Sequence, residues 1–283
     1  MLFSAFCFAL MGAFTHALVG TFDWRVTGFA RAFINFIFVV ILAVSTKKPL
    51  IFFSAPSSLL WRSIVGTLSI VCTFYVFANL PLAEATSLTN LVPIWMALLV
   101  AFVANQPIPR SVLISILSGI AGVYFIQQPR FDQNNFAILV GILQALLAAI
   151  AVYNLHRVKN VHPTTIVAHF TGVASIITGL VLLPALPSLL DGTKYTWPVI
   201  VSLLGIGLSG TAAQLAMTRA YMLGNPAQNA TVGLAQVAFA TLFDVVIWNR
   251  SFSTATIVGI LLITVPSAFF AARIQIRNRA QSV

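Results

Sequence analysis

Thr27, Arg31 and Asn35 fall at i, i+4 and i+8, a spacing that sets a hydroxyl, a guanidinium and an amide on one helix face. A guanidinium in that company suits bidentate binding of a carboxylate; the same residue can equally brace a helix by donating to backbone carbonyls. Thr165, His169 and Gly172 form a similar face, and Ala168-His169 echoes Ala30-Arg31. Imidazole titrates near neutrality, so His169 is the first candidate for coupling to protons, against the alternative of a hydrogen-bonded interior histidine. Glu84 and Asp244 complete the proton-coupling set, although a carboxylate in a first helical turn, as Glu84 is, also complements the helix dipole.

Amides and small residues continue these stripes. Thr86, Asn90, Pro93 and Ala97 follow i, i+4, i+7 and i+11, and Pro93 interrupts the backbone ladder and frees a carbonyl. Asn229, Gly233, Gln236, Ala240 and Asp244 repeat the theme, as do Gly207, Thr211, Gln214, Thr218 and Tyr221, and more briefly Gly141, Gln144 and Ala148. Such stripes line a polar cavity or glue helices together. On the cavity reading the substrate-binding set is Arg31, Asn35, Thr86, Asn90, Trp95, Gln144, His169, Gln214 and Gln236, with Trp95 chosen because it adjoins Pro93. Enzymatic chemistry lacks its parts: the chain carries no HExxH, acidic pair, His/Cys cluster or Walker A sequence, so no catalytic residue, metal or cofactor is expected. Cys7 and Cys72 sit in apolar runs and read as packing residues.

The elements that position these residues follow from composition. Of 283 residues 59% are hydrophobic and 7% charged, where a soluble domain carries about 25% charged residues. About 20 apolar residues cross a ~30 Å hydrocarbon layer as a helix. Punctuation by Pro, Gly and charge predicts spans at 1–19, 26–45, 60–80, 82–104, 112–127, 136–155, 163–186, 198–222, 226–248 and 254–272. The first of these reads as a span rather than a signal peptide, having no basic leader and no cleavage pattern.

Charge orients them. With the first residue in the cytoplasm, Lys47, Lys48, Arg62, Arg110, Arg157, Lys159, Arg219, Arg273, Arg277 and Arg279 are cytoplasmic; Arg25, Arg130, Lys194 and Arg250 are outside and Arg31 is in the membrane. Ten against four favours both ends of the chain in the cytoplasm of a cell-membrane protein. The net charge of +10 is therefore topological, and its spread over many connections argues against nucleic acid. In this orientation Arg31 lies in the outer half and His169 in the cytoplasmic half.

The two halves read as one unit used twice. At a gapless offset of 144, residues 83–117 lie over 227–261, matching Ala83 to Ala227, Leu98 to Leu242, Asn105 to Asn249 and Ile116 to Ile260. An odd number of spans per unit inverts the second, which gives an all-α polytopic fold of ten transmembrane helices in two inverted five-helix repeats, 1–127 and 128–283. Ser111, Ser115, Gly119 and Gly122 in the fifth span permit close contact and suggest a self-association face for a homodimer.

The segment Phe74-Tyr75-Val76-Phe77-Ala78-Asn79-Leu80-Pro81-Leu82-Ala83-Glu84-Ala85-Thr86, with Pro93-Ile94-Trp95 beyond it, resembles the third-to-fourth-helix signature of EamA-type members of the drug/metabolite transporter superfamily. Ala220-Tyr221 ahead of Gly224 resembles the same element in the second repeat, Arg31 resembles the family's second-helix arginine, and Arg62 the arginine opening its third helix. The chain departs from the family where Asn105-Gln106 and Asn249-Arg250 replace a frequent Gly-Glu pair. The resemblance implies a secondary transporter that moves a small polar or amphipathic metabolite, an amino acid or related compound, by alternating access within membrane lipid. A lipid flippase, a drug exporter of the same fold, and a non-transporting scaffold are the alternatives.

Overall fold

The computed structural model describes residues 1–280 other than 19, 52–54, 81, 106, 129–134, 159 and 249–252; of residues 82–84, 127, 156–157, 244, 248, 267–268 and 270–280 it gives the backbone alone. Among the described residues the chain is helical throughout, without a strand: α1 (Leu2–His16), α2 (Trp24–Ser45), α3 (Ser57–Asn79), α4 (Leu82–Thr89), α5 (Val92–Phe102), α6 (Arg110–Gln127), α7 (Asn135–Tyr153), α8 (Pro163–Leu182), α9 (Leu186–Leu190), α10 (Trp197–Leu223), α11 (Pro226–Gly233), α12 (Ala235–Trp248) and α13 (Thr254–Ala280). A 3-10 segment, Asn154–Val158, links α7 to α8.

Local chemistry sets the ends. Asp23 caps α2 by accepting from the Arg25 amide at 2.8 Å, Asn225 caps α11 by accepting from the Gln228 amide at 3.1 Å, and α8 and α11 begin on prolines whose missing N–H costs nothing there. Gln128 ends α6 in the left-handed region at φ 44°, and Lys47 turns the chain after α2 at φ 52°.

Among the described residues seven helical stretches are long and apolar enough to cross a membrane: Trp24–Ser45, Ser57–Asn79, Ala85–Phe102, Asn135–Tyr153, Pro163–Leu190, Trp197–Leu223 and Pro226–Ile247. Leu2–His16, Arg110–Ile126 and Thr254–Pro266 are apolar but shorter. The distribution of side chains suits lipid. Large apolar groups such as Ile41, Ile114, Leu139, Leu180, Leu208 and Val265 are exposed, while Ala, Gly, Ser and Thr are concentrated inside. The protein is thus a multi-pass membrane protein, held together by close backbone approach and interhelical hydrogen bonds.

Those contacts have an order. The main packing partners are α3 with α7, α1 with α10, α2 with α8, and α6 with α13; α1 also packs on α12, α5 on α7, α3 on α8, and α2 on α10. Exchanging α1 with α7, α2 with α8, α3 with α10, α4 and α5 with α11 and α12, and α6 with α13 converts every one of these contacts into another of the set. Hydrogen bonds follow the exchange: Ser4 Oγ donates to Ala213 O at 2.9 Å between α1 and α10, and Ser69 Oγ to Gln144 O at 3.1 Å between α3 and α7. At the α6–α13 seam Ser118 Oγ donates to Leu262 O at 2.9 Å, and Gly122 and Gly259 lie backbone to backbone.

Two helices are interrupted at matching places. The stretch from Leu82 breaks between Thr89 and Val92, and that from Pro226 breaks at Leu234, between Gly233 and Ala235. At the offset of 144, α4 and α11 coincide residue for residue at both ends. The first break sits just ahead of Pro93, as the freed carbonyl ladder requires.

Candidate functional site

Four helices, α2, α3, α8 and α10, carry most of the chemistry-bearing side chains: α2 meets α3, α8 and α10, and α8 meets α3 and α10. On α2, Arg31 is half-buried, with its guanidinium carbon 6.0 Å from the centre of the Phe74 ring of α3. Among the described residues it has no hydrogen-bond acceptor or carboxylate partner. Its helix-face neighbours differ. Asn35 is 6% exposed and, with its amide nitrogen turned toward the carbonyls, donates to Gly207 O at 3.0 Å and to Arg31 O at 3.3 Å. That amide therefore joins α2 to α10, where Gly207 and Gly210 leave room for α2 to approach.

His169 on α8 is 2% exposed, and its Nδ1 lies 2.8 Å from the Ser63 hydroxyl of α3. Ser63 donates to Nδ1 when the ring proton is on Nε2 and accepts from it when Nδ1 is protonated, so the pair fits either protonation state of that nitrogen. Gln214 on α10 is buried on the same helix set, together with Thr218, whose hydroxyl has no partner within the described residues. Gln144 on α7 faces α3, donating from Nε2 to Ser69 Oγ at 3.2 Å, while its Oε1 has no partner among the described residues.

The helix breaks hold the rest. Asn90 Nδ2 donates to Thr86 O at 2.7 Å, filling a carbonyl at the end of α4, and Thr86 itself is half-buried. Asn229 similarly donates to Ala220 O at 2.7 Å across the α10–α11 turn. Trp95 is half-buried against a cluster that includes Leu59, Ile166, Tyr221 and Met222. Gln236, half-buried in the first turn of α12, stands apart from the four-helix set, since α12 packs on α1, α11 and α13. Glu84 and Asp244 belong to α4 and α12, and their side chains lie outside the described residues.

One further cation is buried. Arg62, counted above with the topological arginines, is 1% exposed in the first turns of α3, and its guanidinium carbon lies 4.0 Å from the centre of the Phe170 ring on α8. Its Nε and Nη1 have no hydrogen-bond partner among the described residues. Burial comes from long-range packing of α3 on α8 and on the 3-10 segment, which no local pattern around Arg62 reveals.

This end of the protein is electropositive. His162 caps α8 through Nδ1, which accepts from the Thr164 amide at 3.2 Å. Its pKa is lowered by burial and then by the positive charges of Lys48 and Arg219, which places the α2–α3 connection, the start of α8 and the end of α10 close together. Thr165 Oγ1 adds a bond to Pro49 O at 2.6 Å in the same region.

A family model described as EamA-like transporter family matches the chain over residues 1–127 and again over 135–271. The chain is 28% identical over 267 residues to the pseudopaline exporter CntI of Pseudomonas aeruginosa (strain UCBPP-PA14), covering 93% of this chain and 91% of that protein. It is 25% identical over 270 residues to an uncharacterized transporter of Helicobacter pylori (strain ATCC 700392 / 26695), covering 93% and 90% respectively. A solved crystal structure shares the fold at a TM-score of 0.72 and 16% identity, over 94% of this chain and 96% of that one.

Proposed function

The chain belongs to the EamA-like transporter family, and from that membership we propose that it is a secondary transporter which moves a small, carboxylate-bearing polar or amphipathic metabolite by alternating access between two inverted repeats, 1–127 and 128–283. The observation that carries this reading is the pair of interrupted helices, α4–α5 and α11–α12, at corresponding places in the two halves, with α5 and α11 in contact. Paired breaks at a repeat interface are where transporters of inverted-repeat design hold their substrates. The exchange relation among the helix contacts and the two separately matched segments support the repeats, and ten spans follow if the three shorter apolar helices also cross.

On this reading Arg31 binds the substrate carboxylate. It is the half-buried cation of the outer half, held over a phenyl face without a carboxylate of its own. Asn90, Trp95, Gln144, Gln214 and Gln236 contribute shape and hydrogen bonds, and Thr86 and Asn35 hold the walls. His169 is the leading proton carrier, because a change in its charge acts directly on Ser63 and on the α3–α8 contact. Glu84 and Asp244 are the acidic partners for such coupling. The name of the Pseudomonas relative supports export as the direction.

Two measurements test this. Proteoliposomes containing the protein should accumulate or release a labelled amino acid or dicarboxylate down an imposed gradient, with faster movement when a proton gradient opposes the substrate's. Single cysteines at Asn90 and Gln236 should react with a water-soluble thiol reagent at rates that change when that substrate is added. Protein-free transport rates together with unreactive cysteines at both positions would refute the reading.

A further inference from the structure

We propose that Arg62 is the centre of a second oxyanion site, at the opposite end of the four-helix set from Arg31, which receives the anionic group of a bound molecule from outside the chain. Three observations carry it. The guanidinium is buried, yet Nε and Nη1, donors on two different edges of the group, have no partner among the described residues. Its flat face is already engaged by Phe170 at 4.0 Å, which holds the fork in one plane and leaves its N–H edge for a ligand. Ser63 and His169, next in sequence to Arg62 and Phe170, are joined at 2.8 Å, which ties α3 to α8 one residue from each member of the stacked pair.

Among the described residues no carboxylate lies within ion-pair distance of Arg62. Asp23 caps the start of α2 and Glu84 lies in the first turn of α4, so each is a helix length from the Arg62 end. Asp191 follows α9 and Asp244 lies near the end of α12, again far from the starts of α8 and α11. Asp132, outside the described residues, precedes α7 in sequence, whereas the other end of α7 leads into the 3-10 segment. Lys48 and Arg219 act on His162, at the start of α8. A buried guanidinium with unpaired donors is costly unless an anion joins it. Arg31 and Arg62 then form two cationic stations. Phe74 and Arg62, both on α3, are twelve residues apart, about 18 Å along the helix.

This rests on the transport reading for the source of the anion: a carboxylate-bearing solute, with a lipid phosphate as the other source of the same chemistry. The protein is placed in phosphatidylcholine nanodiscs, and its melting temperature is followed against glutamate, succinate and inorganic phosphate, and separately against added phosphatidylglycerol. Wild type should be stabilised by a soluble oxyanion, and Arg62→Gln should need about tenfold more of it for the same shift. Stabilisation by phosphatidylglycerol alone, lost in Arg62→Gln, supports the site and makes the ligand a headgroup.

Equal responses of wild type and Arg62→Gln to every anion, including equal lack of response, overturn the proposal. Should Arg62→Gln fail to fold, Arg62→Lys keeps the charge and loses the fork, so an unchanged anion response in that variant overturns it as well. The two readings fail separately. Wild type that carries no solute in proteoliposomes but keeps an Arg62-dependent anion response sinks transport and leaves the site. Arg62→Gln that carries solute and responds to anions as wild type does sinks the site and leaves transport.

Discussion

Two polar side chains on one face of α2 have different surroundings, and substitutions should separate them. Asn35 is tied to Gly207 O and packed on Gly210, so Asn35→Leu loses the interhelical bond and overfills the contact. We expect a loss of about 1–3 kcal/mol in stability, read as a lower melting temperature. Arg31 has no such bond, so Arg31→Gln and Arg31→Lys should purify and melt as wild type does. Both should raise the apparent substrate constant, by about tenfold or ~1.4 kcal/mol for Gln and less for Lys, measured by uptake into proteoliposomes. Lower yield of both variants, with normal transport by the folded fraction, would make Arg31 structural. Outside the membrane spans, His162 must stay neutral to accept the Thr164 amide, and burial, Lys48 and Arg219 lower its pKa accordingly. The unfolded chain binds that proton more tightly, so this contribution to stability is present above the ordinary histidine pKa and is lost as pH falls from there through the lowered folded-state value. Lys48→Gln should raise the His162 pKa, followed by hydrogen–deuterium exchange at its imidazole C2 position. The spacing of Thr27, Arg31 and Asn35 made their shared face legible in the sequence. Which of them would be bonded was not legible, because the partner carbonyl lies on α10, 172 residues beyond Asn35.

Helices in this protein approach through glycine, and the α6–α13 seam is the sharpest case. A Cβ added at Gly122 would lie 2.6 Å from the Gly259 carbonyl oxygen, and one added at Gly259 would lie 2.6 Å from the Gly122 oxygen. Backbone cannot rotate away as a side chain can, so Gly122→Ala should force the helices apart at a cost on the order of 1–3 kcal/mol. Gly192→Ala is the control, since nothing lies within 4 Å of its Cβ position. Thermal melting in detergent should show a clear loss for the first and little change for the second; equal behaviour would mean that the seam is not tightly packed. Apolar length and punctuation were enough to find the helices themselves, including the break ahead of Pro93. The break at Leu234 carries no proline, and in the sequence it shows only through its register with α4. The burial of Arg62 was also hidden: a cation in the first turns after a polar connection has the local pattern of an interfacial residue, and only the packing of α8 and the 3-10 segment distinguishes the two.

At the scale of the whole molecule, packing gathers on one side the connections that the sequence counts as rich in cations. The sequence assigns ten cations to the side that holds Lys48, Arg62 and Arg219, and four to the other. Packing brings Leu59, Leu155, Ile166, Tyr221 and Met222 into one cluster at the first side, so the connections counted together in sequence are neighbours in space. Asp23 and Asp191 lie at the other end, where Arg25 and Lys194 offset them at 3.5 and 3.9 Å. That end is close to neutral in its described pairs, and the Lys48–Arg219 end is strongly positive. Insertion retains cations on the cytoplasmic side and is nearly indifferent to carboxylates, so the Lys48–Arg219 end should be cytoplasmic. Reporter fusions at Val283 and in the connection holding Asp191 and Lys194 test this: phosphatase should be inactive at the first and active at the second, with a cytoplasmic fluorescent reporter giving the reverse. Reversed activities at both sites would invert the protein, put Arg31 on the cytoplasmic half and Arg62 on the outer half, and exchange the order in which an exported anion would meet them.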